Sequence, residues 1–126
     1  MTHAIPLSER PLLSFTIPTC NRAKYLDQLL GALLKQLHGE SRVELIVSDN
    51  ASTDNTPAVV EAYRQQGLPI RYLRNQANHG PDFNILQCYE QAAGRYVWIF
   101  GDDDLGVYYF TAGKQNGNSG LDTEQA

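Results

Sequence analysis

The sequence predicts an α/β domain organised around a parallel sheet, with its elements in the order β-α-β-α-β-α-β. Short apolar runs of strand length alternate along the chain with segments whose apolar residues recur at helical spacing. Such alternation requires crossover connections, which make the strands parallel and place helices on both faces of the sheet. A polar loop follows each predicted strand, and parallel strands end on the same side. The loops at residues 18–22, 49–54, 75–80 and 102–104, called the rim below, are therefore predicted to lie together.

The first strand is predicted at residues 12–17, an apolar run that Pro18 closes. Asn21 is then a candidate N-cap, because its short polar side chain can accept a backbone N–H of the first helical turn. The helix that follows carries a core-facing stripe of leucines, and Gly39 is predicted to end it. The stripe consists of Leu26, Leu29, Leu30, Leu33, Leu34 and Leu37.

The second strand is predicted at residues 43–47. Thr56 and Pro57 are predicted as the N-cap and the first residue of the second helix, which ends at Gly67. Residues 70–74 form a third strand whose alternating apolar and polar side chains place it near a sheet edge.

The third helix is predicted to start with Asp82 as its cap and to stop at Gly94. Its inward face is predicted to consist of Phe83, Leu86, Tyr89 and Ala93. The continuous apolar run at residues 96–100 is typical of a fully buried strand in a parallel sheet, and forms the fourth strand.

A single domain is predicted over residues 12–111, with a short apolar run at 107–110 as a candidate last strand. Residues 1–11 form a polar lead-in, and residues 112–126 lack apolar periodicity and are predicted to be disordered. The formal net charge of −4 disfavours a nucleic-acid partner, which needs basic groups for its phosphates.

No apolar run reaches the length of a transmembrane helix, and the N-terminus has no signal-peptide pattern. We therefore expect a cytoplasmic protein whose membrane association, if any, is peripheral. Cys20 and Cys88 lack the spacing of a zinc site and are interpreted as reduced thiols, with a disulfide as the alternative.

Three consecutive carboxylates, Asp102, Asp103 and Asp104, directly follow the fourth strand. Carboxylates at the end of a buried strand are unfavourable unless a positive group lies beside them. A hard divalent cation prefers carboxylate oxygens together with substrate phosphates. The alternative is an acidic surface turn, but the other rim loops favour a metal site at the same edge.

Other rim residues have both a ligand-binding and a structural interpretation. Asp49 can accept a ring N–H of a nucleobase or hold its own loop in an Asx-turn, and Asp54 is a candidate for organising that loop. Arg22 and His79 can contact phosphate or lie in solvent. Asn84 lies in the first turn of the third helix and is predicted to face the rim, where a helix N-terminus favours a negatively charged group.

These loops resemble the motifs of family 2 glycosyltransferases, which have the GT-A fold. The likeness spans about residues 12–105 and rests on segments 15–22, 45–56, 74–75, 78–80 and 101–104. Asn50 and Ala51 stand where the family usually has a second Asp and a Gly, and Gly101 precedes the aspartates where many members have Asp-x-Asp-Asp. The two motifs of this chain, Ser-Asp-Asn-Ala-Ser and Gly-Asp-Asp-Asp, are similar to those of bacterial surface-polysaccharide transferases, including abequosyltransferase-like members.

The resemblance implies a Rossmann-like GT-A nucleotide-binding half, truncated before the acceptor half. Together with Asn84, the nucleotide contacts are predicted to be Pro18, Thr19, Arg22, Asp49, Asp102 and Asp103. Asp102 and Asp104 are the predicted ligands of Mg²⁺ or Mn²⁺.

The activity implied is metal-dependent transfer of a sugar from a nucleotide-diphosphate sugar donor to an acceptor hydroxyl. The acceptor would be a saccharide or lipid-linked saccharide in polysaccharide or glycoconjugate synthesis. No catalytic base is assigned, because the family places it well downstream of the aspartates. A donor-binding half alone would leave apolar sheet surface uncovered, so we expect self-association as a homo-oligomer.

Three other classes fit parts of the pattern. A non-catalytic nucleotide- or metal-binding module would keep the aspartates without the chemistry. A nucleotidyltransferase normally has a Gly-rich, basic phosphate loop, which residues 18–22 do not provide. A receiver-like domain needs a lysine on a later strand, and the sequence offers none. GxGxxG and GxxxxGK[ST] motifs are also absent, which argues against a dinucleotide fold and a P-loop.

Overall fold

The computed structural model describes residues 9–101, 107–110 and 123–125. It has the predicted alternation of strands and helices over the first seven elements. The elements are β1 (Leu13–Thr19), α1 (Ala23–Gln36), β2 (Val43–Asp49), α2 (Thr56–Gln65), β3 (Ile70–Arg74), α3 (Pro81–Gln91), β4 (Tyr96–Phe100), β5 (Val107–Phe110) and β6 (Thr123–Gln125).

The strands form one six-stranded sheet in the order β3-β2-β1-β4-β5-β6. Strands β1 to β4 pair in parallel, which confirms the predicted α/β fold, and β3 lies at an edge as predicted. The candidate last strand at 107–110 is present, but it pairs antiparallel with β4. Within the segment predicted to be a disordered tail, Thr123–Gln125 pairs antiparallel with β5.

Helices cover both faces of the parallel strands, as crossover connections require. Phe15 and Ile17 of β1 belong to a core that α1 and α2 cover. Ile46, Val97 and Ile99 point to the opposite face, where α3 packs. Successive side chains of a strand alternate between the faces, so β2, β3 and β4 contribute to both cores.

The leucine stripe of α1 is confirmed as core packing. Leu26, Leu30 and Leu33 are buried, and Leu29, Leu34 and Leu37 pack partly buried against the same cluster. Each buried leucine stabilises the fold by about 1.5–3 kcal/mol relative to exposure. This stripe holds α1 against the sheet and so fixes the loop that leads into it from β1.

The three predicted N-caps are wrong by one or two residues. The predicted caps are Asn21, Thr56 and Asp82, whereas the structure has Arg22, Asn55 and Gly80 at these positions, without side-chain cap hydrogen bonds. The predictions rested on residue type, but Asp54 accepts the backbone N–H groups at the starts of α1 and α2 instead. Helix α1 also ends at Gln36, before the predicted stop at Gly39.

The inward face of α3 is only partly as predicted. Phe83 and Leu86 are 44% and 52% exposed, and Ala93 follows the helix rather than belonging to it. Tyr89 packs partly buried against the core. The sheet side of α3 instead holds Asn84, Ile85 and Cys88. A polar residue can occupy this face because the ends of β1 and β2 supply its hydrogen-bond partners.

Candidate functional site

Three of the four rim loops meet at the carboxyl ends of the parallel strands, as predicted. The Asn50 N–H donates to the Thr19 carbonyl at 2.9 Å, and the Asn75 N–H donates to the Asp49 carbonyl at 2.8 Å. The Asn21 N–H donates to the Ser52 hydroxyl at 2.8 Å. These bonds join the loops after β1, β2 and β3 into one continuous polar surface beyond the end of the sheet.

Asn21 and Ala51 have positive φ values, of 54° and 63°. The left-handed region is unfavourable for side chains other than those of Gly, Asn and Asp, so surrounding contacts must hold Ala51 in place. Asn21 is held by its own carboxamide, whose Oδ1 accepts the N–H groups of Thr53 and Asp54 at 2.7 and 3.2 Å. The side chain predicted to cap α1 therefore links two rim loops.

Asp54 caps two helices at once. Its Oδ2 accepts the Ala23 N–H at the start of α1, at 3.1 Å. Its Oδ1 accepts the N–H and the hydroxyl of Thr56 at the start of α2, at 3.0 and 2.6 Å. Burial acts to raise the pKa of Asp54, but hydrogen bonds from Thr56, Ala23 and its own backbone bring that pKa below its ordinary value. The structure thus supports the loop-organising interpretation of Asp54.

Replacing Asp54 with alanine is expected to destabilise the fold by about 2 kcal/mol, since loss of one helix cap typically costs about 1 kcal/mol. Chemical denaturation at pH 7 measures the difference. The control is Asp82→Ala, which removes a carboxylate from the first turn of α3. That change loses only about 0.3–1 kcal/mol of charge–dipole stabilisation. Equal losses in the two variants would contradict the double-cap assignment.

The contribution of Asp54 is also expected to depend on pH. Because its pKa is lower in the folded state, its stabilisation is present above the ordinary value of 3.8 and is lost as the pH falls through the folded-state value. The stability gap between the wild type and Asp54→Ala should therefore narrow below about pH 4. A gap that widened under acid would contradict the sign of this shift.

Asp49 is fully buried at the end of β2, with 0% of its surface exposed. Its Oδ1 accepts the Ser52 N–H at 2.9 Å, the bond of the Asx-turn interpretation. Its Oδ2 accepts the hydroxyl of Tyr72 at 2.5 Å, and the Arg74 guanidinium lies 3.8 Å from the same oxygen. Burial raises the pKa of Tyr72, and the bond to Asp49 and its negative charge raise it further. Asp49 therefore joins β2, β3 and the rim.

Asn50 is a rim residue whose importance the sequence did not indicate. Its carboxamide is 2% exposed and makes four hydrogen bonds, all to the loop between β3 and α3. Nδ2 donates to Asn78 Oδ1 and to the Gly80 carbonyl, at 2.9 and 3.0 Å. Oδ1 accepts Asn75 Nδ2 and the His79 N–H, both at 3.0 Å. A buried amide with full donor and acceptor satisfaction fixes that loop relative to β2.

Asn84 extends this polar network beneath the rim. It is 3% exposed, and its Oδ1 accepts the Ser48 hydroxyl at 2.6 Å. Its Nδ2 donates to the carbonyls of Ser48 and Thr19 at 3.0 and 3.4 Å. Gln87, one turn further along α3, donates to Ser48 Oγ and Asn75 Oδ1 at 2.8 and 3.1 Å. The side chain of Asn84 thus points into the protein, contrary to its predicted orientation toward the rim.

The remaining predicted contacts lie at the end of β1 and at the start of α1. Pro18 and Thr19 belong to the end of β1 rather than to the loop, and Thr19 is buried. Arg22 is the N-cap residue of α1, and its guanidinium lies 4.9 Å from the centre of the Tyr25 ring. The His79 and Phe83 rings have their centres 4.6 Å apart and their planes tilted by 47°. Arg22 and His79 therefore place one cationic and one titratable group beside the rim.

The predicted metal residues Asp102, Asp103 and Asp104 lie outside the described residues, which reach Gly101 at the end of β4. Within the described ranges, no group of three or more His, Cys, Asp or Glu side chains is placed to hold a metal ion. Cys20 and Cys88 are reduced thiols rather than a disulfide, as predicted. Burial raises the pKa of the Cys88 thiol to about 12, so this residue is not a reactive thiolate.

A parallel sheet with helices on both faces and polar loops beyond its carboxyl ends defines an α/β domain of the ligand-binding kind. The chain belongs to the glycosyl transferase family 2, whose family model matches residues 14–105. This match includes β1 to β4, the three helices and every rim loop. The predicted family membership and GT-A fold are confirmed.

Two curated relatives illustrate the likeness in sequence. An abequosyltransferase of Salmonella typhimurium is 46% identical over 94 residues, which make up 74% of this chain and 28% of that protein. A GalNAc(5)-diNAcBac-PP-undecaprenol beta-1,3-glucosyltransferase of Campylobacter jejuni is 35% identical over 95 residues, or 75% of this chain and 30% of its own length. The chain thus spans less than a third of the length of either relative.

Solved structures show the same arrangement. A mannosyltransferase from Pyrobaculum calidifontis in complex with GDP-Man and Mn²⁺ matches with a TM-score of 0.67 and 26% identity, over 76% of this chain and 28% of that one. The TarS protein of S. aureus in complex with UDP matches with a TM-score of 0.65 and 32% identity, over 79% and 28% of the two chains. Both similarities support the GT-A architecture of this chain.

Proposed function

We propose that this chain is the donor-binding part of a glycosyltransferase that transfers a sugar from a nucleotide-diphosphate donor to an acceptor hydroxyl. The observation that carries the proposal is the convergence of three family motifs at one edge of the sheet, joined by direct hydrogen bonds. The bound GDP-Man and UDP of the matching structures support a nucleotide-sugar donor here. The acceptor is proposed to be a saccharide or lipid-linked saccharide, in line with the undecaprenol-linked substrate named for the Campylobacter relative.

The nucleotide is proposed to lie across the rim. Pro18 and Thr19 would border it from the end of β1 and Arg22 from the start of α1, where it supplies a positive charge for phosphate. Asp49 would pair with a base N–H, although both of its oxygens bind protein groups and its side chain is covered. A base can therefore bind Asp49 only if it displaces the Tyr72 hydroxyl from Oδ2 or reaches the carboxylate beside that hydroxyl.

The side chain of Asn84 is proposed to act on the nucleotide through the loops it holds. Its carboxamide is occupied by Ser48 and Thr19, so it supports the ends of β1 and β2 from below. A ligand beside α3 would instead meet the backbone N–H groups of its first turn, which favour negative charge.

Asp102 and Asp103 are proposed to contact the nucleotide, and Asp102 and Asp104 to hold Mg²⁺ or Mn²⁺. Adjacent carboxylates fit this role, since both cations favour oxygen ligands. A bound divalent cation would offset negative charge on the diphosphate leaving group. The rim loops would orient the donor, and Arg22 would lie beside it.

No helix in the described part of the chain has the length and apolar content to cross a membrane. We propose a cytoplasmic location, peripheral to any membrane, which the two reduced thiols support. Self-association is also a proposal, and the 40% exposure of both Tyr96 and Trp98 on β4 supports it.

Metal-dependent binding of one nucleoside diphosphate is the expected result that tests the proposed function. The 126-residue chain is titrated with UDP, dTDP, GDP and CDP, with and without Mn²⁺, by isothermal calorimetry. Asp104→Ala should weaken binding in the presence of Mn²⁺ by about 10- to 100-fold, the range typical of damaged metal sites. Metal-free binding should be unchanged in this variant.

The matched control for this experiment is Glu61→Ala, which removes a carboxylate from the exposed side of α2. Its affinity should equal that of the wild type. Unchanged Mn²⁺-dependent affinity in Asp104→Ala would contradict the metal assignment, and absence of nucleotide binding in the wild type would contradict the proposed function. Binding without sugar transfer or donor hydrolysis would favour the non-catalytic module.

A further inference from the structure

Tyr25 presents an aromatic ring on the outer side of the first turn of α1. The residue is 46% exposed, whereas its neighbour Leu26 is fully buried in the core. The Arg22 guanidinium lies 4.9 Å from the centre of the Tyr25 ring, and a cation is attracted to an aromatic face within about 6 Å. The ring therefore acts on the position of Arg22 from outside the core.

The spacing of the two residues explains why they meet. Arg22 is the N-cap residue of α1 and Tyr25 is its third helical residue, so their side chains are neighbours on the first turn. Helical side chains lean toward the N-terminus of their helix, which directs the Tyr25 ring back over residue 22. This end of α1 follows directly on the loop after β1, so the contact lies at the rim.

The backbone on both sides of Arg22 is held by other rim residues. The Asn21 N–H donates to Ser52 Oγ at 2.8 Å, and the Ala23 N–H donates to Asp54 Oδ2 at 3.1 Å. The main remaining freedom at this position belongs to the arginine side chain, which loses rotamer entropy when it binds a ligand. A ring contact that restricts its rotamers before binding reduces that cost.

The charge at the start of α1 favours an anion beside Arg22. The first turn of the helix has no acidic residue, and Arg22 lies at the positive end of the helix dipole. The Asp54 carboxylate comes near this end, but its hydrogen bonds go to the Ala23 N–H and to Thr56. A cation at this end of a helix is stabilised by an anionic ligand, and the phosphates of the proposed donor are such anions.

We propose that Tyr25 is a positioning residue of the nucleotide site, whose ring holds the Arg22 guanidinium at the start of α1 for a phosphate of the donor. This inference rests on the proposed function, because it takes the phosphate to be that of a nucleotide-diphosphate sugar. Tyr25 acts through Arg22 and does not itself bind the ligand. A guanidinium held in this way can offer two parallel N–H donors to phosphate oxygens.

A double-mutant cycle between the two positions tests this role. Isothermal calorimetry with Mn²⁺ measures the affinity of the wild type, Tyr25→Leu, Arg22→Gln and the double variant for UDP, dTDP, GDP and CDP. For the nucleotide that the wild type binds, Tyr25→Leu should be about two- to fivefold weaker, the range of an exposed cation–π contact. Arg22→Gln should be at least about tenfold weaker, because charge-assisted bonds to phosphate are lost. The double variant should equal Arg22→Gln, since no guanidinium is left for the ring to hold.

Two further variants separate the ring from the hydroxyl and from the net charge. Tyr25→Phe keeps the ring and removes the hydroxyl, so its affinity should stay within about twofold of the wild type. Lys24→Gln is the control for charge, because it removes one positive charge from an exposed position of the same turn. Screening by solvent and salt should keep its affinity within about twofold as well. Leucine and phenylalanine are both tolerated at an exposed helical position, so the Tyr25 variants should fold, which urea denaturation checks.

The NMR signal of the Arg22 Nε–H group gives a second measurement, which does not depend on nucleotide. The ring current of an aromatic side chain moves the signal of a proton above its face upfield, so the wild-type signal should lie upfield of that of an arginine in solvent. Tyr25→Leu should return the signal to the ordinary position, whereas Tyr25→Phe should keep it upfield. An equal signal in the wild type and Tyr25→Leu would overturn the ring contact.

The outcomes separate this inference from the proposed function. A wild type that binds none of the four nucleotides overturns the proposed function, and the Arg22 signal still decides whether the ring holds the guanidinium. A wild type that binds, with Tyr25→Leu equal to it, overturns the inference alone. The same follows if Tyr25→Leu weakens binding equally in the Arg22→Gln background, because the ring would then act without Arg22. Equal losses in Lys24→Gln and Arg22→Gln also overturn the inference, because Arg22 would then act only through its charge.

Discussion

Replacing Gly94 with alanine is expected to destabilise the fold by about 3 kcal/mol or more, since forced overpacking costs about 1–3 kcal/mol before lost hydrogen bonds are counted. A Cβ at this position would lie 2.6 Å from Ser14 Oγ and 2.7 Å from the Ser14 backbone nitrogen. The backbone of β1 cannot move aside, because Ser14 is buried and paired with its neighbours in β2 and β4.

The variant would also lose the hydrogen bonds around position 94, because the added Cβ would force this loop away from Ser14. The Gly94 N–H donates to Ser14 Oγ at 2.8 Å, and that hydroxyl donates to Glu44 at 2.6 Å. Glu44 also accepts the Ala93 N–H at 2.9 Å and lies 3.6 Å from the Arg71 guanidinium. This cluster attaches the loop between α3 and β4 to the sheet, so its loss would loosen the strand that leads to the aspartates.

Gly31→Ala is the matched control for this prediction. Its Cβ would meet the Tyr63 hydroxyl at 3.1 Å, the far end of a side chain that can shift. Alanine is also favoured over glycine inside a helix by about 1 kcal/mol, so we expect little change or a small gain in stability. Urea denaturation of both variants gives the comparison. Similar stabilities for the two would contradict the close packing of Gly94 against β1.

Asp49→Ala is expected to cost about 2–4 kcal/mol of folding stability, because each polar group left without its partner inside the protein costs about 1–3 kcal/mol. The Ser52 N–H and the Tyr72 hydroxyl would both lose their acceptor. Nucleotide binding should be lost as well if the base contacts this carboxylate. Urea denaturation and nucleotide calorimetry measure the two effects on the same protein.

Asp27→Ala is the control for the stability effect. Asp27 also accepts a tyrosine hydroxyl at 2.5 Å, from Tyr63, but it is exposed on α1. Water can replace it there, so the loss should stay below about 1 kcal/mol. Equal losses for Asp49→Ala and Asp27→Ala would contradict the burial of Asp49 as the source of its effect.

Asp49→Asn separates the structural and ligand-binding roles. Asparagine keeps an acceptor for the Ser52 N–H and can accept or donate toward Tyr72, so most of the stability should remain. The charge that would pair with a base N–H is removed. Weaker nucleotide binding by a stable Asp49→Asn protein would support base recognition, and unchanged binding would leave Asp49 with its structural role alone.

Much of the fold follows from periodicity, which depends only on neighbouring residues. The leucine spacing of α1 predicted its buried stripe, and the four apolar runs predicted strands that pair in parallel. The motifs predicted the family, which the family model confirms. The predicted helix boundaries were less accurate. Asn21 and Asp82 have side chains typical of an N-cap, but the N-cap residues are Arg22 and Gly80.

The partners of the rim side chains were not predictable in this way. Asn84 donates to a carbonyl 65 positions earlier in the chain, and Asn50 binds residues 25 to 30 positions later. The same residue types occur in many solvated loops, so their spacing along the chain contains no sign of these bonds. Asp49 likewise accepts the hydroxyl of Tyr72 only because β2 and β3 are paired in the sheet.

The amino-acid sequence by itself determined the alternation of strands and helices, the edge of the sheet at which the loops gather, and the family. These follow from local apolar spacing and from the geometry of parallel crossovers, which any chain with this pattern must obey. Only the tertiary structure decided that Asn50, Asn84 and Asp49 face inward to hold the loops together. Their roles depend on buried donors and acceptors that distant segments supply, and such pairing exists only once the sheet has formed.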